Sequence, residues 1–126
     1  MFKRIDHVEI IPHDFERAIG FYTEVLGFRV KERRKVDVSP LEEIAFLTLG
    51  DTVLELLRVM APSTASDDSW RAGYRMMALE VDDMDKALEY LTSRGVAITW
   101  GPVSLGTSKR AEITDSEGFP IELRQW

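Results

Sequence analysis

The sequence predicts an α+β fold built from two βαβββ modules, and two observations carry that reading. Apolar periodicity runs strand, helix, strand, strand, strand, and then the same order begins again. Sliding the first half forward by 69 positions sets Ala18 on Ala87, Ile19 on Leu88, Asp14 on Asp83 and His7 on Met76. Near the module ends an offset of 67 sets Leu54-Glu55-Leu56 on Ile121-Glu122-Leu123, a slip that unequal loops produce. At 126 residues, 44 % hydrophobic and 30 % charged, the chain is expected to form a single domain over 1–126. Module 1 spans about 4–59, a linker 60–73, and module 2 about 74–126.

Arg4 to Ile11 alternates and stops at Pro12, as a strand does. Phe15, Ala18, Ile19, Tyr22, Val25 and Leu26 fall on one helical face, with Asp14 as N-cap and Gly27 past the end. Strands are expected over Phe28–Val36, Ile44–Leu49 and Thr52–Val59, the last two joined by a tight turn at Gly50-Asp51. The small, polar run Ala61-Pro62-Ser63-Thr64-Ala65-Ser66-Asp67-Asp68 reads as linker. Arg75 to Val81 is the fifth strand. Asp82-Asp83 then caps a helix whose face is Met84, Ala87, Leu88 and Leu91, ended by Gly95. Val96–Trp100, Lys109–Thr114 and Pro120–Gln125 complete the order.

Composition narrows the function classes. The net charge of −6 argues against phosphate-backbone binding. The absence of cysteine removes disulfides, thiolate metal sites and a Cys nucleophile. Only His7 and His13 are present, so a His-rich zinc site is disfavoured, and no Gly-rich phosphate loop occurs. The start turns polar too soon for a secretory signal, and no apolar run is long enough to cross a bilayer. A cytoplasmic protein with no nucleic-acid or membrane partner is expected.

Strand alternation separates two faces. Val8 and Ile10, Leu54 and Leu56, Met77 and Leu79, and Ile121 and Leu123 form apolar sets expected to lie under the helices. His7, Glu55, Met76 and Glu122 fall on the opposite face, where His7 has Glu9 and Glu122 has Arg124 for neighbours. Taken singly, such residues read as a wet sheet face; their equivalence under the repeat raises them to candidates. Arg29, Lys31, Arg33 and Lys35 alternate along the second strand, as an attractor of anions or, preferably, as a solvated edge. Trp70, Trp100 and Trp126 suit a pocket lining or core and dimer packing.

The chain resembles the vicinal oxygen chelate superfamily, which includes glyoxalase I, methylmalonyl-CoA epimerase, extradiol dioxygenases, and the fosfomycin- and bleomycin-resistance proteins. The resemblance rests on Ile5-Asp6-His7-Val8-Glu9-Ile10, on Glu16 to Tyr22 with Val25-Leu26-Gly27-Phe28, on Ala78 to Asp83, and on Asp115 to Leu123. It implies the glyoxalase/bleomycin-resistance fold, a mixed sheet enclosing a cavity, often in a homodimer. It also implies metal ligands at His7, Glu55 and Glu122, with Met76 at a degenerate fourth position where a His is usual. A thioether suits soft ions, so the remaining imidazole and carboxylates imply Zn, Ni, Mn or Mg, or no metal if Met76 plugs the cavity. An extradiol dioxygenase is disfavoured, because its Fe(II) takes two His and one carboxylate. Ile11 stands where glyoxalase I proteins commonly carry a substrate-binding Arg.

The activity implied is that of a lyase or isomerase acting on a small oxygen-rich substrate through a metal-stabilised enediolate. Glu55 and Glu122 are its catalytic candidates. The alternative is a metal-free protein that sequesters a ligand, of the bleomycin-resistance type.

Overall fold

The computed structural model describes residues 1–64, 66–68 and 70–126. Ala65 and Ser69, both within the expected linker, lie outside the described residues. The chain divides into two units, Met1–Thr64 and Ala65–Trp126.

In the first unit, β1 (Val8–Ile10), α1 (Phe15–Gly20), β2 (Arg29–Val38), β3 (Leu41–Leu49) and β4 (Thr52–Val59) give a four-stranded sheet in the order β1-β4-β3-β2. In the second, β5 (Met77–Glu80), α2 (Met84–Ser93), β6 (Ile98–Leu105), β7 (Ser108–Thr114) and β8 (Pro120–Gln125) repeat it as β5-β8-β7-β6. Each sheet is mixed, because β1 runs parallel to β4 and β5 to β8 while the other pairs are antiparallel. Register carries the repeat to single residues. Val8 stands opposite Leu54 and Glu9 opposite Glu55; Met77 stands opposite Ile121 and Ala78 opposite Glu122.

The helices begin where their caps permit. Asp14 accepts from the Arg17 amide and Asp83 from the Lys86 amide, satisfying donors that have no partner within the first turn. After Gly20 the first helix widens to a π turn over Phe21–Val25, where Leu26 N–H donates to Phe21 O. The expected helical face still holds: Phe15, Ala18, Ile19 and Tyr22 are all buried. They belong to a core that includes Ala45, Leu47, Leu54 and Leu56, while Met84, Leu91, Ala111, Ile113, Ile121 and Leu123 are buried in the second unit. Asp115 closes the β7–β8 turn by accepting from the amides of Glu117 and Phe119.

Several expectations are corrected. The first strand is Val8–Ile10 rather than Arg4–Ile11, because β1 is an edge strand paired only where β4 meets it. As an edge residue Val8 is exposed, despite facing the apolar side. β6 runs past Trp100 to Leu105, crossing Gly101 at positive φ within the register shift between Trp100 and Val103. The basic alternation of the second strand is split by a bulge between Val30 and Glu32. Arg29 pairs with Thr48 on one face, whereas Arg33 pairs with Ala45 on the helix side. There Arg33 Nε donates to the buried Glu43 at 2.8 Å, and Glu16 and Arg58 complete a four-charge cluster. The three tryptophans are exposed rather than core residues.

Candidate functional site

In the first unit His7 immediately precedes β1 and Glu55 lies mid-way along the neighbouring β4. Both point away from the helix, and their side chains meet: His7 Nε2 lies 2.9 Å from Glu55 Oε2. The Phe46 ring stands edge-on to the imidazole at 6.0 Å, on the strand beyond Glu55. The Glu55 side chain is only 9 % exposed. Burial, then the charge of Glu9, pushes its carboxyl above the ordinary value, against the opposing pull of His7. His7 shifts upward too. Its Nδ1–H donates to Asp6 Oδ2 at 2.9 Å, the largest influence, and the carboxylates of Glu9 and Glu55 add to it.

Glu9 is the member that strand alternation placed on this face without its being singled out. Its Oε1 is 3.4 Å from His7 Nε2, and His7, Glu9 and Glu55 each offer a donor atom within 4.8 Å of the others. The signal was the i, i+2 spacing from His7 along one strand. The donor set fits a divalent ion. Separations of 2.9 and 3.4 Å match the roughly 3 Å between adjacent ligands whose bonds are about 2.1 Å long. One imidazole with two carboxylates suits Zn, Ni, Mn or Mg by hardness. The carboxylates of Glu9 and Glu55 repel one another, and a cation held between them and the imidazole would relieve that repulsion.

The second unit holds the equivalent positions differently. Met76 precedes β5, and its sulfur lies 3.6 Å from Arg75 Nη1. Glu122, mid-way along β8, is gripped by two guanidinium groups: Arg124 Nη2 at 2.7 Å and Arg110 Nε at 2.9 Å. Neither arginine was singled out as a candidate. Both follow from the i, i+2 pairs Arg110/Glu112 and Glu122/Arg124, which the β7–β8 register sets side by side. Both Glu122 oxygens are thus engaged by guanidinium groups.

Mouse mitochondrial methylmalonyl-CoA epimerase is 30 % identical to this chain over 134 residues, covering 97 % of the chain and 72 % of that protein. The lactoylglutathione lyase of Escherichia coli O157:H7 is 30 % identical over 123 residues, covering 95 % and 90 %. Among solved structures, a glyoxalase family protein from Enterococcus faecalis superposes with a TM-score of 0.84 at 24 % identity, covering 98 % of each chain. TnmS3, an antibiotic binding protein from Streptomyces sp. CB03234, superposes at 0.73 and 23 % identity, covering 98 % and 96 %. These two likenesses show the fold. The model of the Glyoxalase/Bleomycin resistance protein/Dioxygenase superfamily matches residues 4–123, nearly the whole chain, and the chain belongs to that superfamily.

Proposed function

We propose that this chain is a lyase or isomerase acting on a small oxygen-rich substrate with the help of a divalent ion, with His7 and Glu55 among the ligands. The observation that carries the reading is the meeting of His7 with the buried Glu55 on one sheet face, with Glu9 beside them. A bound divalent ion would supply electrostatic stabilisation of negative charge developing on a substrate oxygen. Asp6, hydrogen-bonded to Nδ1, orients the ring so that Nε2 faces the carboxylates. Glu55, the more buried carboxylate of the cluster, is also the candidate for moving a proton to and from carbon. The epimerase and lyase relatives support an enzymatic reading. No helix among the described residues is long and apolar enough to cross a membrane.

The test is calorimetric titration of chelator-stripped protein with Zn²⁺, Ni²⁺, Mn²⁺ and Mg²⁺ in turn. Binding of at least one ion is expected at micromolar concentration, weakened tenfold or more by Glu55→Gln, about 1.4 kcal/mol. Glu122→Gln reads what the other carboxylate adds. Absence of binding by all four ions would refute the reading. The second reading, a ligand-sequestering protein without metal, then takes its place; the engagement of Glu122 by Arg110 and Arg124 is what favours it.

A further inference from the structure

All three tryptophans of the sequence lie in the second unit, and each carries a guanidinium over its ring. Arg75 sits 4.3 Å from the Trp70 centroid, Arg110 4.9 Å from that of Trp100, and Arg124 5.2 Å from that of Trp126. The three arginines are not separate surface pairs. Glu112 touches Arg75 and Arg110, and Glu122 touches Arg110 and Arg124, so the charges form one continuous chain. Arginine side chains in it are only 22–31 % exposed, and the carboxylates 14–15 %.

Two features mark this chain of charges as unfinished. Three guanidinium groups face two carboxylates, leaving one positive charge in excess. In addition, Arg75 Nε is buried without a hydrogen-bond partner, whereas Arg110 Nε already has Glu122 at 2.9 Å. A buried charged donor without an acceptor costs stability unless something supplies one. The exposed indole rings provide flat apolar surface beside the arginines.

We propose that this face of the second unit binds a small carboxylate attached to a planar unsaturated body. The carboxylate accepts from the arginine chain with Arg75 as principal donor, while the planar part lies against indole. Arg75 has the loosest hold on its carboxylate, 3.6 Å from Glu112, and so has most to gain from a new acceptor. The inference goes beyond the metal reading: Arg75 and the indoles lie outside the His7 cluster, and Glu122 enters here only as the partner of Arg110 and Arg124.

The tryptophans make the test direct, since intrinsic fluorescence reports on this unit alone. The intact protein is titrated with benzoate, acetate, inorganic phosphate and benzyl alcohol, exciting the red edge of the indole band. Benzoate is expected to give a saturable change that weakens with added salt. Acetate and phosphate should bind at least about tenfold more weakly and benzyl alcohol not at all. Arg75→Gln should weaken benzoate about tenfold or more, the worth of one charge-assisted hydrogen bond. Arg94→Gln, which removes a guanidinium from Tyr90 outside the arginine chain, should leave it unchanged. Far-ultraviolet circular dichroism checks that both variants fold. No saturable response to benzoate, phosphate binding as tightly as benzoate, or an unaltered affinity in folded Arg75→Gln would each overturn the proposal. Metal binding is read at Glu55→Gln and benzoate binding at Arg75→Gln, so the failure of one reading is distinguishable from the failure of the other.

Discussion

Arg33→Met isolates the buried carboxylate of Glu43. Its side chain is only 8 % exposed, with Arg33 Nε at 2.8 Å and Arg58 Nη1 at 3.6 Å. Deleting one partner of a buried pair typically costs 3–5 kcal/mol, because the other charge stays buried. Here Arg33 is itself a third exposed and Arg58 remains, so the cost falls to or below the low end of that range, about 2–3 kcal/mol. The bond from Arg33 to the exposed Glu16 adds little. In a domain of this size that loss lowers Tm by roughly 10 °C. Urea denaturation at neutral pH measures the loss directly. The double variant Arg33→Met/Glu43→Leu should regain most of it, since removing both charges removes the orphan. Arg29→Met, on the opposite face and exposed, should stay within about 0.5 kcal/mol. A loss below about 0.5 kcal/mol for Arg33→Met, or a double variant less stable than the single, would refute the assignment of Arg33 to Glu43.

Three further outcomes are expected. Because burial raises the folded-state pKa of Glu55 above its ordinary 4.5, its contribution is fully present below that pH and is lost as pH rises through the raised value. Metal-free Glu55→Gln should therefore gain stability relative to wild type from about pH 4.5 towards neutrality, and a pH series of thermal melts in chelator reads the widening gap. Gly101→Ala should cost about 3 kcal/mol or more by denaturation, since its φ is +79° and a Cβ would come within 2.7 Å of the Arg110 carbonyl oxygen. Gly106→Ala, also at positive φ but in open space, should cost only about 1–2 kcal/mol. A homodimer is the expected state in solution, given the exposed Phe2, Ile5, Val8 and Ile11; a monomer mass by light scattering at micromolar concentration would contradict it.

What could be read from the sequence is what period alone determines. Strand alternation put His7, Glu9 and Glu55 on one face and Leu54 and Leu56 on the other, and the sheet keeps that division. The two offsets, 69 and 67, reappear as Val8 and Leu54 against Met77 and Ile121 in equivalent parallel pairs. What could not be read depends on pairing between strands. The bulge after Val30 turns Arg33 toward the helix although its spacing from Arg29 and Lys31 is unchanged, because an extra residue alters register without leaving a mark in the alternation. Glu122 makes the same point chemically. The repeat assigns it the role of Glu55, yet the β7–β8 register brings Arg110 opposite Arg124 and Glu112 opposite Glu122, closing four charges around a position that in the first unit faces Phe46. Two residues equivalent in backbone thus differ in chemistry through their cross-strand neighbours. Glu55, beside an apolar ring and grouped with His7 and a second carboxylate, is suited to cation binding. Glu122, held by guanidinium groups, is suited to arranging arginines for an anion. Giving Glu55 a guanidinium neighbour of its own, with Phe46→Arg on the facing strand, should weaken metal binding there by placing a cation where the ion must sit. Calorimetry on Phe46→Arg with Zn²⁺ or Ni²⁺ tests that ordering, and an unchanged affinity would separate the ion from Glu55.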